Sequence, residues 1–423
     1  MKIVFLCHFS SSIIRDELEL KDYRVRNTIQ GWFGRGPVVY DDFAIWVSDY
    51  ISEFEKYDSL DVHIIAPHKG MKRATQSFDR NHTHYHFVKC DGGFLRDVVN
   101  RKFKLEQKTD YAATRKRIGG VIDDVNPDIV LLCGAENPYY SLSVLDVKDK
   151  PVYVILQTLL NDPKRIGMGI GTAYRRRVEA NIFRHARFFC TSEEKAMNTI
   201  RCFNNDALFL PAGFPTHRPD VPLSKSKECD FVFFSRVVSK NKGIEDVIEA
   251  LAMVKKEFPK VSLHIIGGSN TDYKSFLLDQ IKRLDVQDNI RFLGYFQNME
   301  DTYTHVAKAK VVVVPGITAA LNSTVRESML MGKPTICYDT SGTKDINKER
   351  RCLLTAPLCD KKMLAGQMMF ALKNEDQTQQ IARNGKEYAE KVFSNVAIVK
   401  RLIENCKLII ENYNHHVPIK GSF

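Results

Sequence analysis

The feature that most constrains this chain is an alternation that runs twice along it. Short, continuously apolar runs of strand length are separated by amphipathic stretches of helix length. The first half offers KIVFLC, DVHIIAP, HYHFVKC, DIVLLCG, VYVILQT, RFFCTS and ALFLPAG. The second half offers DFVFFSR, SLHIIGG, NIRFLGYF, KVVVVPG, PTICYD and RCLLTAP. A strand that is apolar throughout is buried on both faces, and strands joined through helices lie parallel. Helical periodicity fills residues 41–56, 172–185, 243–258 and 272–284. Between the two series lies PAGFPTHRPDVPLSKSKE, rich in Pro, Ser and charge. The expectation is an α/β protein of two Rossmann-like domains facing a central cleft, residues 1–218 and 219–392. Residues 393–423 follow as an amphipathic helix and tail. Ligands in such sheets bind beyond the C-terminal strand ends.

A chain of 423 residues suits two cores better than one. Hydrophobic content of 44% and charged content of 27% belong to a soluble globular protein. No apolar run approaches the roughly 18 residues of a membrane span. The opening MKIVFLCH reads as a first buried strand, not a signal peptide. The ten cysteines show no CxxC or CxH spacing, and several sit inside apolar runs. Reduced, buried thiols in a cytoplasmic protein fit that pattern, and no metal site is expected among them. The net charge of +11 is shared by both halves, with no basic tail. Such a surface suits anionic small molecules or an anionic membrane face, and no nucleic-acid motif accompanies it.

Three stretches of the second half carry candidate chemistry. In FFSRVVSKNKGIEDVIEAL, Arg236 ends a strand and Lys242 precedes a helix. Together they reach one phosphate group, or they are two solvated cations. In VVVVPGITAALNSTVRESMLMG, Asn322, Ser323 and Thr324 are all cap types at a helix start, where free N–H groups attract anions. Glu327 follows about one turn in. It either stabilises the helix dipole or accepts two hydrogen bonds from a vicinal diol such as a ribose. In NIRFLGYF, the Gly294, Tyr295 and Phe296 step offers backbone and an aromatic surface to a flat base, or simply packs in the core. Together these groups suit a diphosphate, a ribose and a base. In the first half, the segment from His8 to Pro37 is long for a connector and holds Gly34 and Gly36, a weak signal for close approach to a ligand.

With those residues in view, the second half resembles the GT-B glycosyltransferases, specifically the retaining family 4, over about residues 228–413. The stretch FFSRVVSKNKGIEDVIEALAMVKKEFPKVSLHIIGG is similar to that family's strand–Arg–loop–Lys-Gly–helix passage. ESMLMGKPTICYDTSGTKDI is similar to the helix bearing the second glutamate of its E-x7-E motif. The first half resembles the family more weakly, through PDIVLLCG and LFLPAGF. The resemblance implies a retaining, metal-independent transfer of a hexosyl or modified hexosyl group from a nucleotide-diphosphate sugar. It needs no cofactor beyond that substrate. Arg236 and Lys242 would neutralise the diphosphate, Glu327 would bind the ribose, and Asn322 to Thr324 would hold phosphate and sugar. The terminal helix of this fold crosses back to the first domain.

The chain departs from the pattern at position 319. There Ala319 replaces the first glutamate of E-x7-E, which implies a donor whose sugar carries a deoxy or N-acetyl substituent. Gln157 stands where a histidine often follows the fifth strand, and Glu136 of the first half is a carboxylate that could occupy the position Ala319 leaves vacant. A non-catalytic nucleotide-sugar-binding protein, or a GT-B-like epimerase, remains open beside the transferase. The acceptor is unassigned. The basic stretches 101–108, 114–118 and 174–187 are either solvated helix faces or suit a lipid-linked glycan at the inner face of an anionic membrane, in cell-surface polysaccharide or glycolipid assembly.

Overall fold

The computed structural model describes residues 1–22, 44, 46–90, 105–163, 171–317, 321–340, 342–343 and 346–419. Gly34, Gly36 and Ala319 lie outside the described residues. The chain divides into two compact units, Met1–Pro215 with Asn395–Phe423, and Thr216–Ser394.

Among the described residues the first unit is built on eight strands: β1 (Lys2–Leu6), β2 (Asp61–His68), β3 (Thr75–Arg80), β4 (Thr83–Lys89), β5 (Ile129–Cys133), β6 (Val152–Ile155), β7 (Phe188–Cys190) and β8 (Leu208–Phe209). Their order is β3-β4-β2-β1-β5-β6-β7-β8. The KIVFL strand β1 sits centrally and shows why such runs are apolar throughout. Ile3 and Phe5 pack into one layer with helices Trp46–Phe54 and Asn395–His415. Val4 and Leu6 pack into the other with helices Ala112–Val125, Ala173–His185 and Glu194–Arg201. The pairing departs from the all-parallel expectation at one edge, where β3 pairs antiparallel with β4. The TQSFDR sequence of β3 is polar and half exposed, so hydrophobic patterning does not register it.

Helix Asn395–His415 buries Ile398, Val399, Leu402, Ile403, Cys406 and Ile409. Five of these, all but Ile398, share a core with β1. Asn405 lies under the helix and donates to the Tyr153 hydroxyl and to Leu210 O, both at 3.1 Å. Gly213 has φ of 98°, and a Cβ there would stand 3.2 Å from Ile398 Cγ1. Leu402 is fully buried. Leu402→Ala should therefore cost about 2–5 kcal/mol of stability through lost transfer energy and a residual cavity. Guanidinium unfolding of the full chain measures it, and a loss under about 1 kcal/mol would mean the helix contributes little to this core.

The second unit holds six parallel strands: β9 (Cys229–Val237), β10 (Leu263–Gly268), β11 (Ile290–Gly294), β12 (Ala309–Val313), β13 (Thr335–Asp339) and β14 (Leu354–Pro357). Their order is β11-β10-β9-β12-β13-β14. From β9 the chain builds outward to β11, then returns to the other side of β9 and continues through β14. The direction reverses between β9 and β12, which makes that pair the topological switch point, the usual ligand crevice of a parallel sheet. Helix Ile244–Lys255 packs against both helix Thr271–Arg283 and helix Lys361–Lys373. Helix Ser323–Leu330 packs on helix Glu375–Val392, and helix Met299–Ala307 lies against β9 and β12.

Candidate donor site at the switch point of the second unit

Two loops meet where β9 and β12 end. After Arg236 the chain turns through Lys240–Lys242 and enters helix Ile244–Lys255 at Gly243. Gly243 has φ of 79°, and a Cβ there would lie 2.0 Å from Pro315 O. Only glycine lets this turn close on the backbone that follows β12. A hydrogen bond from Ile317 N to Asn241 O, at 3.1 Å, ties the two loops together. Gly267 does the same at the end of β10. Its φ is 141°, and a Cβ would stand 2.1 Å from Ser235 O. The strand ends of β9, β10 and β12 are thus held close by glycines.

Helix Ser323–Leu330 begins beside these loops. Asn322 occupies its N-cap without a side-chain cap hydrogen bond. Its amide packs on Gly316 instead, where a Cβ would meet Nδ2 at 2.1 Å. The first intrahelical bonds run from Val325 N and Arg326 N to Asn322 O, at 3.1 and 3.3 Å. The Ser323 and Thr324 amides precede them, and such leading N–H groups carry the positive end of the helix dipole. The turn after β13 closes the same region. Thr340 N donates to Thr343 Oγ1 at 2.7 Å, and Gly342 abuts Leu321.

Glu327 is buried, not a surface charge. Its carboxylate accepts hydrogen bonds from Ser323 and Tyr303, and the Arg326 and His217 charges favour its ionised form. Burial outweighs these and raises its pKa. Beneath it, His217 stacks on Tyr303 with ring centroids 5.5 Å apart and pairs with Glu300 at 3.2 Å. Lys242 has its pKa lowered by burial, and the charge of Glu327 opposes that shift. The cation and the carboxylate therefore share one electrostatic environment. Arg236 is exposed at the end of β9. At the outer strands, Gly294 has φ of 79°, Tyr295 is 46% exposed beside Gly268, and Phe296 stacks on His305 at 4.8 Å. Tyr295 presents a ring to solvent, whereas Phe296 is largely spent on packing.

The second unit thus holds Arg236, Lys242, Asn322, Ser323, Thr324 and Glu327 on the C-terminal side of one sheet, with Gly294 and Tyr295 at its far strand. Tyr303, His217 and Gly267 escaped the sequence reading. Tyr303 occupies a core-type position of an amphipathic helix, and nothing local marks it as a partner of Glu327. The paired glycines ending SLHIIGG were the available signal for Gly267.

In the first unit the switch point lies between β1 and β5. Gly134 has φ of 87° there and abuts Glu136 and Gln157, with a built Cβ 2.9 Å from Glu136 Oε2 and from Gln157 Oε1. Arg175 Nε donates to Glu136 O at 2.8 Å. Tyr139 hydrogen-bonds His8, whose pKa burial lowers to about 4, so the imidazole is neutral. Residues 101–104 of the first basic stretch lie outside the described residues, and several arginines of the other two stretches are engaged within the unit. Arg115 pairs with Asp146 at 2.5 Å, Arg117 donates to Lys89 O at 2.6 Å, and Arg177 pairs with Asp110 at 3.2 Å. Arg176 donates to Gly171 O at 2.9 Å. Among the described residues, these cations favour the reading of helix faces over that of a membrane patch.

Residues 218–388 match the family model described as Glycosyl transferases group 1. The fold matches sucrose-phosphate synthase from Thermosynechococcus elongatus with a TM-score of 0.72 at 14% identity, covering 97% of this chain and 99% of that one. It also matches Anabaena Alr3699/HepE in complex with UDP and glucose, with a TM-score of 0.61 at 17% identity over 96% and 100% of the two chains. The E. coli trehalose-6-phosphate structure bound with UDP-2-fluoro glucose gives 0.70 at 8% identity over 96% and 99%. No curated protein matches by sequence. The family match thus falls within the second unit, and the two-domain α/β fold matches that of GT-B glycosyltransferase structures. Among the described residues no helix is long and apolar enough to cross a membrane.

Proposed function

We propose that this chain is a retaining glycosyltransferase that moves a sugar from a nucleoside-diphosphate donor to a hydroxyl acceptor. The reading rests on one observation above others. Lys242, the leading amides of helix Ser323–Leu330 and the buried Glu327 gather at the switch point where Arg236 ends its strand. Breaking the bond from sugar to phosphate leaves negative charge on the departing diphosphate. Arg236, Lys242 and the helix N-terminus meet that charge with fixed donors, so the reaction needs neither a metal nor a cofactor. Glu327, held by Ser323 and Tyr303, has remaining lone-pair sites for the ribose hydroxyls of the nucleoside. Tyr295 offers its exposed ring to the base. The UDP and UDP-sugar complexes of the structural neighbours favour a uridine nucleotide.

Ala319 in place of a carboxylate favours a donor with fewer hydroxyls to satisfy, a deoxy or N-acetyl sugar. Assembly of a cell-surface polysaccharide or glycolipid in the cytoplasm suits such a donor. A panel of nucleotide sugars with product detection by mass spectrometry tests the reading, and the anomeric configuration of the product tests retention. Donor binding without turnover across the panel and a range of alcohol acceptors would instead establish a nucleotide-sugar-binding protein, the reading that Ala319 also favours.

Glu327→Ala should weaken binding of UDP by about 1–3 kcal/mol, as expected for lost hydrogen bonds to a charged group. Calorimetric titration measures this, with the thermal unfolding midpoint recorded in parallel. Unchanged affinity in a folded variant would leave Glu327 a purely structural partner of Tyr303.

A further inference from the structure

The edge of the first sheet carries a second cluster, remote in sequence from every donor-site residue. Strands β2, β4 and β3 contribute the patterns D-x-H (Asp61, His63), H-x-H (His84, His86) and S-x-D (Ser77, Asp79). Alternate residues of a strand share a face. The register pairs His63 with His84 in parallel, and it sets Asp79 opposite His84 and Ser77 opposite His86. All six polar side chains therefore stand on one face of three neighbouring strands.

We propose that Asp61, His63 and His84 bind a divalent transition-metal ion of the zinc type. Asp61 Oδ1 lies 3.0 Å from His63 Nε2 and 3.4 Å from His84 Nε2. One ligand atom from each of the three residues falls within 4.8 Å of the others. Ligands about 2.0–2.1 Å from a tetrahedral ion stand roughly 3.3 Å from one another, and the two separations from Asp61 Oδ1 are close to that. His63 Nε2 is a buried atom that faces the Asp61 carboxylate.

The outer contacts fit the same role. His84 Nδ1 meets Asp79 Oδ1 at 2.6 Å, the carboxylate–histidine arrangement that fixes a ligand's tautomer. His63 Nδ1 meets His86 Nε2 at 2.9 Å, and His86 Nδ1 meets Ser77 Oγ at 2.8 Å. Two imidazoles and one carboxylate select zinc, cobalt, nickel or copper over calcium and magnesium. The His63 and His84 rings are stacked at 4.5 Å and 19° from parallel. Binding therefore turns His84 out of the stack, with water completing the shell. Lys2 Nζ stands 3.7 Å from Asp61 Oδ2, and its charge opposes the ion. The ion would clamp β2 to β4 near the N-terminal end of β2.

The test uses the full chain, stripped with chelator and titrated with Co²⁺ and then Zn²⁺ alone. The expected result is one ion per chain at micromolar or tighter Kd, visible Co²⁺ absorption of a tetrahedral or five-coordinate site, and a raised thermal midpoint with Zn²⁺. His63→Ala and Asp61→Asn should each weaken binding at least 10-fold, while His185→Ala, on an exposed helix end, should not change it. Lys2→Met should tighten binding severalfold, a gain that misfolding cannot produce. Equal affinity in Asp61→Asn and in the unmodified chain, or no tightening in Lys2→Met, would overturn the site.

Discussion

Arg236→Ala and Lys242→Ala are each expected to lower kcat of sugar transfer by about 10²–10³-fold, the usual effect of removing one preorganised donor from a developing anion. The donor Kd should change far less. Charge on the diphosphate grows as the sugar departs, so a cation aimed at it gains more in the transition state than in the ground state. The two residues should also differ. Lys242 is partly buried in the field of Glu327, and burial lowers its pKa, so its charge is weakly screened. Arg236 is exposed, so part of its contribution should fade at high salt. Steady-state kinetics on each variant, at low and high ionic strength, with donor Kd from titration, decide the matter. A pure rise in KM with full kcat would remove both residues from the chemistry.

Gly243→Ala is the second large effect, and it is structural in origin. A Cβ there would lie 2.0 Å from Pro315 O, and the residue's φ is 79°. The left-handed conformation alone costs an L-residue about 1–2 kcal/mol. The overlap adds to that, because its partner is a backbone carbonyl and not the movable end of a side chain. Relief requires the loop 240–242 to shift, which breaks the Asn241–Ile317 hydrogen bond and carries Lys242 away from Glu327. Loss of stability and weakened donor binding should therefore appear together. Gly119→Ala is the matched control. It lies within helix Ala112–Val125 with nothing within 4 Å of the built Cβ, so it should stabilise by about 0.4–1 kcal/mol. Chemical unfolding and donor titration on both variants check the pair. A Gly243→Ala protein with unchanged stability and affinity would show that the two loops are not held as described.

The sequence alone determined the repeated α/β pattern, because buried parallel strands must be apolar on both faces and amphipathic helices must show their period. The strands KIVFLC and DFVFFSR and the helix near residues 243–258 were legible for that reason. It also marked Arg236, Lys242, Asn322 to Thr324 and Glu327, since strand ends and helix starts are where backbone and side chains are free to meet a ligand. What it left undecided depended on contacts between distant segments. Whether Glu327 was a surface charge or a buried group rested on Tyr303 and His217, which no local pattern connects to it. The antiparallel β3 edge was hidden because a half-exposed strand needs no apolar run. The histidine cluster was hidden because D-x-H and H-x-H acquire meaning only when strand register sets His63 beside His84. Local patterning is a property of one segment's environment, whereas a site is a property of several segments brought to one point, and only the tertiary structure brings them there.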